Sequence, residues 1–363
     1  MKVDDYKIYA SFGYLPNPRR VDFKLAEEKF NNHSDLTNSI FDKYNYSGKH
    51  LVPLSGGLDS RYILIKILQR VNAEDIQCVT FGDRHGYDVR MAALICKKLG
   101  IKWKYLETDI LKRTEKYSVK NSVEKGRHLF YSFPYFSVGN YDHIWNGVLG
   151  DYLYKPLPNE KPESISLNFK ELYKNKSVFN LDENTLKYLD RYKESFTGLE
   201  CNIQDAYIYG DRLPNYYIPN TRISFKENRP FADRNYLSGL RLNHGFWDVS
   251  GDDARLKEIE RHIGVFPYKN RAMNSALVNT LMRINDGMLR FYSKSAYANY
   301  YQEGQIYRLY RLFKEQNRDV QVLEYLSEEQ RNFYQKVKRS DFRIPLNQVR
   351  LLNIMSVMLM HNE

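Results

Sequence analysis

Between residues 49 and 107 the sequence switches repeatedly between two hydrophobic periods, and that alternation leaves few folds open. HLVPL (50–54) is a short apolar run, after which Ile63, Leu64, Ile67, Leu68 and Val71 recur at helical spacing. IQCVTF (76–81) is rich in strand formers and stops at Gly82. Val89, Ala92, Ala93, Cys96 and Leu99 mark a second amphipathic helix, with Gly100 placed to end it. IKWKYLE (101–107) alternates apolar and polar residues, as a strand does. Strands separated by helices of this length cannot pair as hairpins. They must lie parallel, with each helix crossing back over the sheet. The expectation is therefore an α/β fold: a parallel sheet with helices on both faces. A further strand is expected at DHIWNG (142–147), after a helix near 120–136. Pro53 is awkward here, because it has no N–H for a ladder; the strand's end, where the chain leaves for a loop, tolerates it.

The organisation reads as three parts: an N-terminal arm and helix (1–48, with the helix at about 34–45), the alternating core (49–155) and a largely helical remainder (156–363). KPLPNEKPESI (155–165) is a Pro-rich connection into that remainder, where ENTLKYLDRY and SALVNTLMRIN have helical periodicity. A hydrophobic fraction of 42% in 363 residues is ample for a core and excludes global disorder. The net charge of +11 has two readings: a surface that attracts nucleic acid or polyphosphates, or a solvated basic exterior; Lys and Arg are spread along the chain, which favours the second, and nucleic acid is not expected as a partner. Cys78, Cys96 and Cys201 are far apart, so neither a disulfide framework nor a zinc site is expected. The N-terminus has no secretory apolar core, and LLNIMSVMLM near the C-terminus is about half a membrane span. No membrane association and a cytoplasmic location are expected.

The loop between the first strand and its helix, Leu54-Ser55-Gly56-Gly57-Leu58-Asp59-Ser60-Arg61, carries the chemistry. It falls at the carboxyl end of a parallel strand, where α/β sheets bind ligands. Gly56 and Gly57 let backbone approach an anion closely, and amides at a helix start favour phosphate. Ser55 and Ser60 add hydroxyl donors. Asp59 would repel phosphate unless a cation lay between them, which makes it a natural Mg²⁺ ligand. The absent GK[ST] ending argues against P-loop NTPases.

SGGLDS resembles the pyrophosphate loop of the N-type ATP pyrophosphatases, the PP-loop enzymes of adenine nucleotide alpha-hydrolase-like fold. Other segments resemble class B asparagine synthetases: YASFGYLP (9–16), Thr80-Phe81-Gly82, Asp88 with AALICKKLGI, NGVLGD (146–151) and ENRPFAD (227–233). The resemblance implies an ATP-dependent amide ligase that adenylates a small-molecule carboxylate, releases pyrophosphate, then transfers an amine and releases AMP. It implies ATP held by Leu54, Ser55, Gly56, Gly57, Asp59 and Ser60, with Thr80, Phe81 and Gly82 bordering the adenine and Gly147 the nucleotide. Asp59 and Asp151 would share Mg²⁺.

Three departures stand against that likeness. No N-terminal glutaminase domain is expected, because position 2 is Lys2 where the relatives need a cysteine, so nitrogen would come from ammonia, a separate glutaminase or a substrate amine. Val148 replaces a glutamate that lies by the reacting centre in the relatives. Their late lysine has no clean match; Lys269, near Arg271 in FPYKNR, is the nearest candidate for a catalytic role, against an exposed turn. Arg61 could face a substrate carboxylate or Glu227, or lie on a helix surface, and Glu227 with Arg229 could be a buried pair shaping the site. His128 and His143 read as ordinary hydrogen-bonded residues. Two rivals remain: a tRNA-modifying PP-loop enzyme, and a degenerate synthetase-like protein that binds a partner. Separately, the arm at 1–30 is expected to be exposed and open to contact with a partner chain.

Overall fold

The computed structural model describes residues 3–21, 30–82, 84, 87–107, 139–154, 169–199, 201–215, 226–242, 254–264, 303–316 and 321–361. Among these, a parallel sheet of five strands has the order β3-β2-β1-β4-β5. The strands are β1 (His50–Pro53), β2 (Ile76–Gly82), β3 (Lys102–Glu107), β4 (His143–Trp145) and β5 (Lys226–Asn228). The helices are α1 (Val3–Phe12), α2 (His33–Phe41), α3 (Leu58–Leu68), α4 (Tyr87–Leu99), α5 (Gly150–Leu153), α6 (Phe169–Lys176), α7 (Glu183–Asp190), α8 (Ile203–Tyr207), α9 (Arg234–Leu242), α10 (Ala254–Ile263), α11 (Glu303–Glu315), α12 (Glu328–Lys336) and α13 (Pro345–His361).

The β1-α3-β2-α4-β3 succession follows the expected order. β1 is central, with Leu51 paired to Gln77 on one side and to Ile144 on the other. Pro53 is its last residue, where the ladder ends. Side chains alternate across the sheet: Val52, Cys78 and Trp145 join the core shared with α3 and α4, while Leu51, Val79, Leu106 and Ile144 form a cluster on the opposite face. Both sets are buried, so both faces are covered, as a parallel sheet requires. α3 has Ile63, Leu64, Ile65 and Ile67 all buried, which explains why its apolar residues are not confined to one stripe. α4 ends at Gly100, whose φ of +67° is the left-handed conformation of a helix stop.

The expected helix near 120–136, the Pro-rich connection and the SALVNTLMRIN segment lie outside the described residues. β5 was not among the expected strands; it has three residues, Lys226, Glu227 and Asn228, with no apolar signal.

A second core joins the two ends of the chain. Tyr9 and Ala10 of α1 pack with Ile306, Leu309 and Phe313 of α11 and with Leu351, Leu352, Ile354 and Met355 of α13. Asn353 donates to the Ala10 carbonyl (3.1 Å), and Gln330 donates to the Lys7 carbonyl (3.0 Å). Ile8 and Phe12, on the other side of α1, join the sheet core. The start of the chain is thus not an exposed arm: Ile8, Tyr9, Ala10, Phe12 and Tyr14 are buried between two cores. LLNIMSVMLM falls within α13, which this packing buries. Among the described residues no helix is long and apolar enough to cross a membrane.

Candidate active site at the switch point of the sheet

From β1 the chain winds outward through β2 and β3, then returns to add β4 and β5 on the other side of β1. The order therefore reverses between β1 and β4, and at such a point the connections leaving adjacent strands splay apart and open a crevice. The two connections here are Leu54–Gly57, leading into α3, and Asn146–Leu149, leading into α5.

The first connection is a tight turn stitched by its own groups. The Ser55 amide donates to Ser60 Oγ (3.0 Å), the two hydroxyls lie 2.9 Å apart, and the Gly57 amide donates to Ser55 Oγ (3.1 Å). The Gly56 peptide is gripped at both ends. Its N–H donates to Asp88 Oδ1 (2.8 Å), and its carbonyl accepts from Arg61 Nη2 (2.8 Å). Arg61 is buried, so the turn is held from the core side and the arginine does not lie on the helix surface. Gly57 is the N-cap of α3 and brings no capping side chain, which leaves the helix start to whatever binds above it.

Thr80 is buried and donates to the Leu54 carbonyl (2.8 Å) while accepting from Trp103 Nε1 (3.0 Å). Its hydroxyl anchors the turn to β2 and β3. Phe81 follows, and Gly82 has φ +124°, with its carbonyl taken by the Tyr105 hydroxyl (2.8 Å). Thr80, Phe81 and Gly82 are thus brought to the end of β2 beside the loop.

The second connection meets the first at Asp59. A Cβ added at Gly147 would sit 3.3 Å from Asp59 Cβ, and one added at Gly150 would overlap the Asp59 carboxyl. These glycines allow the NGVLGD turn to pack directly on the aspartate. Asp151 follows Gly150 as the second residue of α5, so the backbone brings the two aspartates into one place. Asn146 orders the turn: its amide donates to the Asn228 carbonyl (2.9 Å), its side chain donates to Glu227 Oε1 (3.0 Å), and its Oδ1 accepts from the Val148 amide (3.0 Å). Leu149 has φ +71°, the left-handed region that a leucine enters only when the surroundings fix it. Glu227 and Arg229 form an ion pair (2.6 Å) beside this turn, as the sequence allowed. Val148, the departure noted in the sequence, is half-buried against the core.

The sequence did not single out Arg255. It comes from α10, is buried, pairs with Asp59, and lies 3.6 Å over the ring of Tyr154. Tyr154 is fixed in turn by His33 Nε2 (2.8 Å) and by the Tyr236 hydroxyl. Burial pushes the Tyr154 phenol well above its ordinary range, with Tyr236 and Tyr62 adding and Arg255 opposing. α10 is pinned to α3 by Glu258, one turn beyond Arg255, which pairs with the buried Lys66 (2.6 Å) and accepts from Tyr62 (2.9 Å). Lys269 and Arg271 lie outside the described residues. His143 proves to be a hydrogen-bonded residue of the sheet, at 3.1 Å from the Ser47 carbonyl, far along the strand from the loop; His128 lies outside the described residues.

Residues 49–128, covering β1 to β3, match the family model described as QueC, queuosine biosynthesis protein QueC. That family has the same α/β fold. The match supports a core of the PP-loop ATP pyrophosphatase type. The match covers less than a quarter of the chain. It supports the PP-loop superfamily, and not the asparagine synthetases specifically. Within that frame the turn at Ser55–Ser60 stands where a PP-loop would, and the reading as an ATP-using enzyme has its support here.

The donor set suits a magnesium nucleotide. Hydroxyls and amides at an uncapped helix start suit phosphate, and one carboxylate plus phosphate oxygens is a common way to hold Mg²⁺. Among the described residues there is no group of three or more His, Cys, Asp or Glu that could bind a metal by themselves.

Proposed function

We propose that this protein is a PP-loop ATP pyrophosphatase that adenylates an oxygen on its acceptor, after which a nitrogen nucleophile attacks the carbon bearing that oxygen and AMP leaves with it. The observation that carries the reading is the PP-loop itself, standing at the switch point with Asp59 against the NGVLGD turn. The acceptor oxygen would attack the α-phosphorus, the bond from that phosphorus to the bridging oxygen would break, and pyrophosphate would leave. Ser55, Ser60 and the PP-loop amides would hold the leaving phosphates in line. Asp59 and Asp151 would hold Mg²⁺, which offsets charge on pyrophosphate. Arg255 is the cation on the protein side of Asp59, placed to orient that carboxylate.

For the acceptor, the match to a queuosine biosynthesis family supports a nucleoside- or tRNA-directed enzyme better than aspartate amidation. A second reading, an amide ligase on a small carboxylate, keeps one support: the Asn146–Glu227–Arg229 cluster beside the turn lies in segments that resemble asparagine synthetases. Val148 speaks against aspartate itself, because valine can neither take a proton nor bind ammonium.

The test is pyrophosphate and AMP release from Mg-ATP across a panel: aspartate, other small carboxylates, nucleobases and nucleosides bearing a carboxyl or carbonyl oxygen, and unmodified tRNA, each with and without ammonium. Release with the nucleoside or tRNA arm, abolished in Asp59→Ala, is the expected result. Release with aspartate and ammonium alone would restore the asparagine synthetase reading. Failure of Mg-ATP to bind at all would end both.

A further inference from the structure

The PP-loop contains a competitor for its own ligand. Gly56 offers one of the amides that a phosphate would use, yet that N–H donates to Asp88 Oδ1 at 2.8 Å. Asp88 sits in the first turn of α4, on a different element from the loop, and is half-buried. A carboxylate on an amide at a helix start does what a phosphate oxygen does: it accepts a charge-assisted hydrogen bond in the positive end of the dipole. Two anions cannot share that place without repulsion. Nor can the loop turn the amide elsewhere cheaply, because Arg61 holds the carbonyl of Gly56 at 2.8 Å from inside the core. With the peptide clamped on one side, displacement has to move the Asp88 side chain rather than the Gly56 amide.

We propose that Asp88 is an intramolecular stand-in for phosphate, and that a magnesium polyphosphate enters the PP-loop by displacing it from Gly56. This rests on the PP-loop reading above. The competing picture is a permanent brace, in which Asp88 keeps the Gly56 amide and phosphate uses the remaining donors.

Calorimetric titration with Mg-ATP, and separately with magnesium pyrophosphate, distinguishes them, alongside NMR hydrogen exchange at the Gly56 amide. Asp88→Ala should free the amide, so that its exchange quickens in the unliganded protein, and should tighten polyphosphate binding about tenfold, the size expected for one charge-assisted hydrogen bond no longer traded away. Asp88→Asn keeps an acceptor without the charge and should fall between Ala and wild type; thermal melting checks that both variants fold. Equal or weaker binding by a folded Asp88→Ala, with wild type binding normally, overturns the inference and leaves the PP-loop reading intact. Unchanged exchange at Gly56 in that variant overturns it as well. Absence of binding by wild type and both variants overturns the PP-loop reading and the inference together.

Discussion

The Lys66–Glu258 pair makes a quantitative test of how the site is held. Its two members are buried unequally: the Lys66 side chain is 1% exposed and the Glu258 side chain 14%. Their other partners also differ. Without Glu258, Lys66 keeps weak support: Asn38 Oδ1 at 3.3 Å and the Tyr62 ring at 5.4 Å. Without Lys66, Glu258 keeps the Tyr62 hydroxyl at 2.9 Å and Gln69 at 3.0 Å. Glu258→Leu therefore strands a buried ammonium and should cost about 3–5 kcal/mol. Lys66→Met leaves a carboxylate that is still hydrogen-bonded and near solvent, at a cost of about 1–2 kcal/mol. The double variant replaces the pair by apolar groups and should lie within about 2 kcal/mol of wild type. The coupling between the sites is then about 3 kcal/mol. At roughly 2 °C per kcal/mol for a long chain, Glu258→Leu should melt about 6–10 °C below wild type. Burial lowers the Lys66 pKa even with its partner present, so raising the pH should shrink the penalty of Glu258→Leu by letting the stranded amine lose its proton. Glu258 and Arg255 share one face of α10, so Glu258→Leu should also weaken Mg-ATP binding. Thermal melting of the four proteins, followed by Trp fluorescence, is the assay. Equal costs for the two single variants, or additive costs in the double, would refute the reasoning.

Two further outcomes follow from particular contacts. Gly150→Ala should abolish Mg-ATP binding in calorimetry while the protein still folds, because its Cβ would overlap the Asp59 carboxyl that Arg255 holds in place; Gly147→Ala, at 3.3 Å from Asp59 Cβ, should be tolerated within a few-fold. His50 accepts from Trp145 Nε1 (3.0 Å) and donates from Nε2 to the Tyr46 carbonyl (3.1 Å), a pattern that only the neutral ring can make. Burial lowers its pKa below the ordinary 6.5, with the stacked His143 adding to that direction. The folded state then binds the proton less well than the unfolded one. This part of the stability is complete above about pH 6.5 and is lost as pH falls through that value. Melting curves from pH 8 to 5 should show that acid limb, and it should flatten in His50→Gln; an identical limb in the variant would refute the assignment.

Much of the core could be read from the chain because its signals are local. β1, α3, β2, α4 and β3 each announce themselves within a dozen residues by period and stop signal, and the PP-loop is one contiguous stretch. Its placement above a parallel sheet followed from the element order alone. β5 had no such signal: three polar residues become a strand only because β4 lies beside them. The same holds for α1, whose residues look like an arm until the C-terminal helices cover one side and the sheet core the other. The site divides in the same way. The sequence named Asp59, Gly147 and Asp151, and the switch point brings their backbones together. Arg255 is 196 residues from Asp59, and its type and spacing on an amphipathic helix look like any surface arginine. Thr80, expected beside the adenine, also braces the loop, a contact with no sign in the sequence. Local propensity decides which elements form, whereas the partner of a buried charge depends on which elements the core brings side by side, and that only the tertiary structure decided.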